Sequence, residues 1–261
     1  MKQILINIFL ITSLSVNIMA EDVNSTKKEV QNMSDPLAIY TQGGFGFTNK
    51  GLNIKIGQTY DTGSSTTAGM NIIEIKGIAG DILGWDDEEK VSNSVDSFRF
   101  RNFTVSSLTG RGSQIDINYN LHKEAGVASY SLMQALPKLG GLNIYPLAGV
   151  GLAFANNALE DDGSTDSGFS VPGVLGVVGM YAKYSVSDKI WLNYNPTWSV
   201  GLAGSDLFMD HGFENNENVL AHEFIFSYQF TPRFNVRYFS NWSENIDFAD
   251  GDQRIEFNYQ F

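Results

Sequence analysis

The residues best suited to acid–base chemistry lie in two acidic segments. Asp210 and His211 are adjacent in "AGSDLFMDHGFENNEN", and Asp86 and Asp87 are adjacent in "DILGWDDEEKVSNS". A hydrolase that uses acid–base chemistry needs a carboxylate–histidine pair or a nucleophile–base pair in one place. These four residues are therefore candidate catalytic groups only if the two segments meet. The alternative interpretation is two solvated acidic loops.

His222 is a second candidate base. It shares the apolar parity of Phe224 and Phe226, whereas the nearest hydroxyl, Ser227, has the opposite parity. Residues of opposite parity on a strand point to opposite faces, so Ser227 is not expected to be a nucleophile for His222. An outward histidine of this kind is more often a surface residue than a general base.

Two further segments could supply oxygen ligands to calcium. "DFADGDQ" contains Asp247, Asp250 and Asp252, and "LEDDGSTD" contains four acidic residues, numbered 160, 161, 162 and 166. Calcium takes several oxygen ligands, but neither segment has the glycine and the terminal glutamate of an EF-hand loop. Hairpin tips rich in Asp and Gly also form for turn reasons alone. We therefore predict no metal site, and no motif predicts a cofactor.

A third set of charged residues alternates with apolar residues along extended runs. Its members are Lys55, Glu74, Lys76, Arg99, Arg101, Asp116, Lys183, Arg233, Arg237, Arg254 and Glu256. Alternation with a period of two is typical of β-strands that have one apolar and one polar face. The last run, "RIEFNYQF", shows it most strictly, with Ile255, Phe257, Tyr259 and Phe261 on one face.

Twelve such runs follow a polar N-terminal stretch. They lie near 38–48, 51–60, 69–79, 95–106, 113–122, 125–136, 141–154, 169–184, 189–202, 217–230, 233–242 and 253–261. The run 169–184 is apolar and glycine-rich on both faces, which predicts a bulge or a place where small residues fill the interior. No helical period persists after the leader.

The connections between the runs differ in length. The longest are acidic and alternate with short turns such as Thr231-Pro232, although the connection "HK" is brief where a long one is expected. Alternate connections of an antiparallel sheet lie at opposite ends, so the longest loops share one end. This asymmetry is typical of outer-membrane barrels, which have short periplasmic turns and long outer loops.

Together these patterns resemble the Gram-negative outer-membrane β-barrel proteins as a class. The resemblance covers residues 37–261 and implies an all-β, transmembrane, antiparallel up-and-down barrel of about twelve strands, or ten if 38–60 lie outside the wall. Tyr259 and Phe261 match the C-terminal signal read by the barrel-assembly machinery, which is an expected partner. Outer-membrane lipid and lipopolysaccharide are the others, and the larger size of trimeric porins predicts a monomer.

The N-terminus predicts export. Residues 1–20 have one charged side chain, an apolar stretch and a small residue, Ala20, as in a secretory signal peptide. Residues 21–36 are polar and lack periodicity, and we expect them to form a periplasmic N-terminal segment. A net charge of −12 argues against nucleic-acid binding. The expected location is the outer membrane.

If the apolar faces meet lipid, the alternating charges point into a lumen. Hairpin register then places Arg101 diagonal to Asp116 and Arg237 diagonal to Glu256, within reach of one another. One interpretation is a channel for small solutes or ions whose arginines favour anionic solutes. The other is a salt-bridge network that fills a narrow barrel, as in a structural or receptor barrel.

An enzyme at the membrane rim, a protease or lipid hydrolase, stays an alternative to the favoured porin-like channel. The set Asp86, Asp87, Asp210 and His211 is similar to the site of the omptin proteases, which combine two acids with an Asp/His pair. In omptins one residue separates the members of each pair, so that both share a strand face. Here the members are adjacent, which weakens the similarity.

Overall fold

The computed structural model describes residues 30–80 and 95–261. The predicted signal peptide, residues 1–20, lies outside them. The strands are β1 (Gln42–Thr48), β2 (Gly51–Tyr60), β3 (Thr67–Ile78), β4 (Ser97–Ser106), β5 (Arg111–Asn120), β6 (Ala125–Gln134), β7 (Leu142–Asn156), β8 (Phe169–Ser185), β9 (Ile190–Tyr194), β10 (Thr197–Gly204), β11 (Asn218–Thr231), β12 (Phe234–Ser243) and β13 (Asp252–Gln260), and a short helix, α1, covers Asp206–His211.

The strands form a closed antiparallel barrel. Each strand pairs with its neighbours in sequence, except that β9 and β10 do not pair with each other. β1 closes the sheet by pairing with β13 from Gln42–Gln260 to Thr48–Arg254. β9 and β10 both lie between β8 and β11 in one register, so they are a single strand interrupted at Asn195-Pro196. Proline lacks the N–H that strand pairing uses.

The described residues therefore form a twelve-stranded barrel, which confirms the predicted fold class. The ten-strand alternative is wrong, because β1 and β2 belong to the wall. Among the same residues, no helix is long and apolar enough to cross a membrane.

The two faces of the wall differ as the alternation predicts. Outward side chains are large and apolar, with Phe45 54% and Ile56 62% exposed. Inward side chains are polar and buried, with Asn53 1% and Glu256 0% exposed. An apolar outer band around a polar interior is the arrangement that lipid requires of a spanning barrel.

The two ends of the barrel also differ. At the end that carries Phe261, here called the terminus end, connections such as 107–110, 186–189 and 232–233 are short. At the opposite end, the loop end, 157–168, 205–217 and 244–251 are longer, while 49–50 and 121–124 are brief. Helix α1 lies in the 205–217 loop. No helix is predicted there, because one short turn cannot show a helical period.

The glycine-rich run 169–184 has a structural reason. Gly173 and Leu175 of β8 point inward and face Phe208 of α1, which forms a small buried cluster with Leu175 and Phe213. A Cβ at Gly173 would lie 2.0 Å from Phe208 Cδ1, so only glycine permits this approach. The strand is apolar on both faces because one face meets the outer environment and the other meets the loop helix.

The chain before β1 differs from expectation. The predicted strand begins at residue 38, but β1 begins at Gln42, and residues 31–40 run along the inner wall at the terminus end. Met33 is 4% exposed. Residues 33–36 of the polar N-terminal segment therefore line the barrel interior.

Candidate functional site

A cavity of about 150 Å³ lies in the barrel interior. The predicted lumen residues that line it are Lys55, Glu74, Arg99, Arg101, Arg237, Arg254 and Glu256. They come from five strands, β2, β3, β4, β12 and β13, which the closed sheet brings around one space. The sequence pattern places these residues on the inner face, and barrel closure makes them neighbours.

Glu256 is the centre of one half of this charged layer. Its carboxylate pairs with Lys55 Nζ, accepts a hydrogen bond from Asn53 Nδ2 at 3.2 Å and lies 3.7 Å from Arg254 Nε. One buried carboxylate thus compensates two buried cations. Such a group is costly to remove, because its partners would remain charged without a counter-ion.

Glycine in β1 leaves the space that the ion pair between Lys55 and Glu256 needs. Lys55 lies on β2 and Glu256 on β13, so the pair must reach across β1. A Cβ at Gly44 would lie 2.8 Å from Asn258 Oδ1 and 3.3 Å from Lys55 Cε. β1 therefore has no side chain at this position, and Lys55 passes over it to Glu256.

The other half contains two further ion pairs. Glu74 forms an ion pair with Arg101. Arg99 forms a bidentate ion pair with Asp116, in which Nε donates to Oδ1 at 2.9 Å and Nη2 donates to Oδ2 at 2.5 Å. Gln114 Nε2 donates a third hydrogen bond to Asp116 Oδ2 at 2.9 Å. A bidentate guanidinium–carboxylate pair fixes the orientation of both groups.

Arg237 differs from the other arginines that line the cavity because it has no carboxylate partner within 4.0 Å among the described residues. Its Nε donates to Ser227 Oγ at 3.2 Å and its Nη2 to Asn193 Oδ1 at 3.5 Å. Its guanidinium carbon lies 5.5 Å from the centre of the Phe239 ring and 5.9 Å from that of Trp191. Neutral oxygens and ring faces stabilise the cation without cancelling its charge.

Counting the central layer shows an excess of positive charge. Lys76 points inward on β3 with Glu74, and Glu223, which lines the cavity, accepts a hydrogen bond from Asn195 at 2.7 Å. Among the described residues that line the cavity, five are cations and four are carboxylates: Lys55, Arg99, Arg101, Arg237, Arg254, Asp35, Glu74, Glu223 and Glu256. Glu223 was not among the predicted residues, although it shares the inward parity of Ser227 on β11.

The predicted ion pairs are wrong, because the register of the strands differs by two residues from the one that the prediction assumes. Arg101 is directly opposite Asp116 and Arg237 directly opposite Glu256, rather than diagonal to them. The pairs that form use other partners: Asp116 binds Arg99, its diagonal neighbour, and Glu256 binds Lys55 across β1. Turn geometry sets the register, and a shift of two residues changes every partner on the inner face.

Two predicted lumen residues lie at the terminus end instead of the central layer. Lys183 Nζ donates to Ser34 Oγ at 2.5 Å, and Arg233 Nη1 donates to the Gln260 carbonyl at 3.2 Å. Lys183 thus binds the N-terminal segment, and Arg233 holds the end of β13. Neither is a wall residue of the cavity.

At the loop end, α1 narrows the lumen beside β8 and β10. The Asp161 carboxylate accepts hydrogen bonds from the backbone N–H groups of Asp206 at 3.0 Å and Leu207 at 2.8 Å, which ties the 157–168 loop to the helix. Ser205 caps the helix by accepting from the Phe208 N–H at 3.2 Å. Repulsion from the Asp166 carboxylate raises the pKa of Glu160 in the same loop.

The candidate catalytic residues are not brought together among the described residues. Asp210 and His211 are exposed at the end of α1, and their side chains make no hydrogen bond or ion pair with other described residues. Asp86 and Asp87 lie outside the described residues. His222 is on the outer face, where its Nδ1 lies 2.8 Å from Tyr194 Oη and its ring stacks on Trp242.

The acidic loops are not assembled for metal binding in residues 30–80 and 95–261. No group of three or more His, Cys, Asp or Glu side chains there could hold an ion. At the candidate residues 247, 250 and 252, Asp247 instead forms a turn, since its carbonyl accepts from the N–H groups of Asp250 and Gly251 at 3.0 Å. The turn explanation therefore accounts for this segment.

Comparison with solved structures identifies the fold. The NanC porin superposes with a TM-score of 0.51 at 8% identity, over 85% of this chain and 98% of that one. The KdgM porin, in complex with disordered oligogalacturonate, gives 0.47 at 7% identity over 85% and 99%. The translocator domain of the autotransporter NalP from Neisseria meningitidis gives 0.45 at 11% identity, over 85% of each chain.

The chain has the fold of the outer-membrane β-barrels. At these identities the likeness extends to the architecture and not to a solute. No protein-family model matches the sequence, and a comparison with curated protein sequences finds no match. Function must therefore be argued from the charged lumen itself.

Proposed function

We propose that this protein is an outer-membrane channel that lets small solutes and ions pass and prefers anions. The observation that carries the proposal is the central charged layer, in which five cations and four carboxylates of the described residues line one cavity. A pore that is lined by an excess of one charge concentrates the opposite ion. Arg237, which has no carboxylate partner among the described residues, is the group best placed to contact a passing anion.

The outer face, the N-terminal sequence and the fold support a location in the outer membrane. The apolar outer face is suited to lipid, the N-terminal sequence supports export, and the NanC protein of the same fold is named a porin. Outer-membrane lipid and lipopolysaccharide are the proposed surroundings of the outer wall.

Single-channel recording of the refolded mature protein in a planar lipid bilayer tests the proposal. A heat-modifiable gel band verifies that the barrel is folded. In a salt gradient we expect discrete steps and a reversal potential on the anion-selective side. A folded protein that carries no current, both as the full mature chain and without residues 31–40, would contradict the channel.

A closed structural or receptor barrel is the second candidate. It is favoured by one observation: both ends of the lumen are narrowed, by α1 at the loop end and by residues 31–40 at the terminus end. The same recording distinguishes the two, because a permanently filled barrel conducts nothing.

We also propose that the C-terminal strand is read by the barrel-assembly machinery. Phe261 is exposed, and its ring lies edge-on to that of Tyr259 with 5.2 Å between the ring centres. The Phe261 N–H donates to the Thr41 carbonyl at 3.0 Å, which joins the residue to the wall. We expect Phe261→Ala to reduce the amount of folded barrel in outer membranes several-fold. The same change should leave refolding in detergent unaltered, and Phe230→Ala, also an exposed aromatic of this end, is the control. Equal yields for both variants would contradict this role.

A further inference from the structure

Residues 31–40, here called the lumen segment, are joined to the wall at several points of its circumference. The backbone of Gln31 is held by the side chain of Gln260 on β13, which accepts from the Gln31 N–H at 2.7 Å and donates to its carbonyl at 3.0 Å. This double hydrogen bond uses the last residue of the barrel wall. It fixes the start of the segment at the terminus end.

The following residues contact strands on other sides. Met33 is buried against Gln229 and Asn235, whose amides lie 3.4 and 3.6 Å from its sulfur. Ser34 and Asp35 reach the opposite wall, where Lys183 of β8 donates to Ser34 Oγ and Tyr145 of β7 donates to Asp35 Oδ1 at 3.2 Å. The segment thus crosses the lumen from β13 to β7.

The second half of the segment borders the cavity. Ile39 and Tyr40 line the same space as Arg237 and Glu256, and Ala38 lies beside them. The segment therefore closes the central charged layer on the side of the terminus end. An ion that crosses the barrel must pass it or displace it.

Its attachment is weaker than that of the wall. The segment forms no strand pairs, and its internal backbone hydrogen bonds are the turns from Asp35 N to Asn32 O and from Ala38 N to Asp35 O, both 3.0 Å. Its anchors described above are the double hydrogen bond of Gln31 with Gln260, the side-chain hydrogen bonds of Ser34 and Asp35, and the buried Met33. Elements with few buried contacts open at lower free energy than the core around them.

We infer that the lumen segment is an intrachain gate, which restricts current while it is docked and releases the terminus end when it leaves. This inference rests on the proposed channel function. The wall does not need to change for the gate to open, because the sheet closes through β1 and β13 independently of residues 31–40.

A reversible cross-link tests the gate. The chain has no cysteine, so Ser34→Cys/Lys183→Cys introduces the only thiols, at two side chains in direct contact. We expect a short bifunctional thiol reagent to lower the mean current of the folded channel several-fold and dithiothreitol to restore it. The control is Glu124→Cys/Asn156→Cys, a hydrogen-bonded pair at the loop end, which should not change the current.

A second variant removes the anchors without a cross-link. A Gly–Ser linker of equal length in place of residues 31–40 should raise the mean current several-fold, or make a silent channel conduct. If both the linker variant and the locked variant conduct as the unmodified protein does, the gate is wrong and the channel stands. A linker variant that is folded and silent beside a conducting parent also overturns the gate. Silence of all forms overturns the channel itself.

Discussion

Glu256→Gln is expected to lower the free energy of unfolding of the barrel by about 3–5 kcal/mol, because breaking a buried ion pair leaves a charge without its partner. Glu256 compensates both Lys55 and Arg254, and glutamine keeps the shape while it removes the charge. The measurement is equilibrium unfolding in urea, in detergent micelles, followed by tryptophan fluorescence.

The control for this substitution is Glu217→Gln, which makes the same change at an exposed side chain of the 205–217 loop. It should leave the unfolding midpoint within the error of the parent. Adding Lys55→Met to Glu256→Gln should recover part of the loss, because the uncompensated ammonium is then removed as well. Equal stability of Glu256→Gln and Glu217→Gln would mean that water in the lumen, rather than Glu256, compensates the two cations.

Lys76→Gln/Arg237→Gln is expected to abolish the anion preference of the channel. Among the described residues, Lys76 and Arg237 are inward cations without a carboxylate within 4.0 Å. Removing Arg237 leaves four cations against four carboxylates in the cavity lining, so the excess charge that selects anions disappears. The anion-to-cation permeability ratio should fall toward about 1. It is measured as the reversal potential of the folded variant in a potassium chloride gradient.

The matched control removes the same two types of cation outside the lumen. Lys50 is exposed in the turn 49–50 at the loop end, and Arg111 is exposed at the start of β5 at the terminus end. Lys50→Gln/Arg111→Gln therefore lowers the net charge equally without changing the inner wall. It should keep the reversal potential of the parent. A parallel shift in both variants would assign the selectivity to the overall charge of the protein and not to the lumen.

What the sequence alone determined is local in nature. The alternation that ends in Phe261 predicts strands with one apolar and one polar face, because successive side chains of a strand point to opposite sides. The twelve runs and the unequal connections then predict a barrel with its longer loops at one end, and the structure has both. The same parity predicts which charges point inward, as for Lys55 and Glu74.

The partners of those charges were decided by the tertiary structure. Alternation reports the face of a residue but not its register, and a shift of two residues preserves the face while it changes the neighbour. Asp116 therefore binds Arg99 and not Arg101, and Arg237 is left with neutral oxygens. The pair of Lys55 with Glu256 spans two strand spacings and depends on glycine in β1. The local alternation in β2 or in β13 therefore cannot predict this pair.

The two elements that narrow the lumen were also decided by the tertiary structure. Helix α1 is too short to have a period, and residues 31–37 of the lumen segment lack alternation, so neither gives a sequence signal. Met33 is buried and Ser34 bound because a closed wall surrounds them, with Asn235 and Lys183 on separate strands. Their positions follow from closure of the barrel, which joins residues that are about 150 to 200 positions apart in the chain.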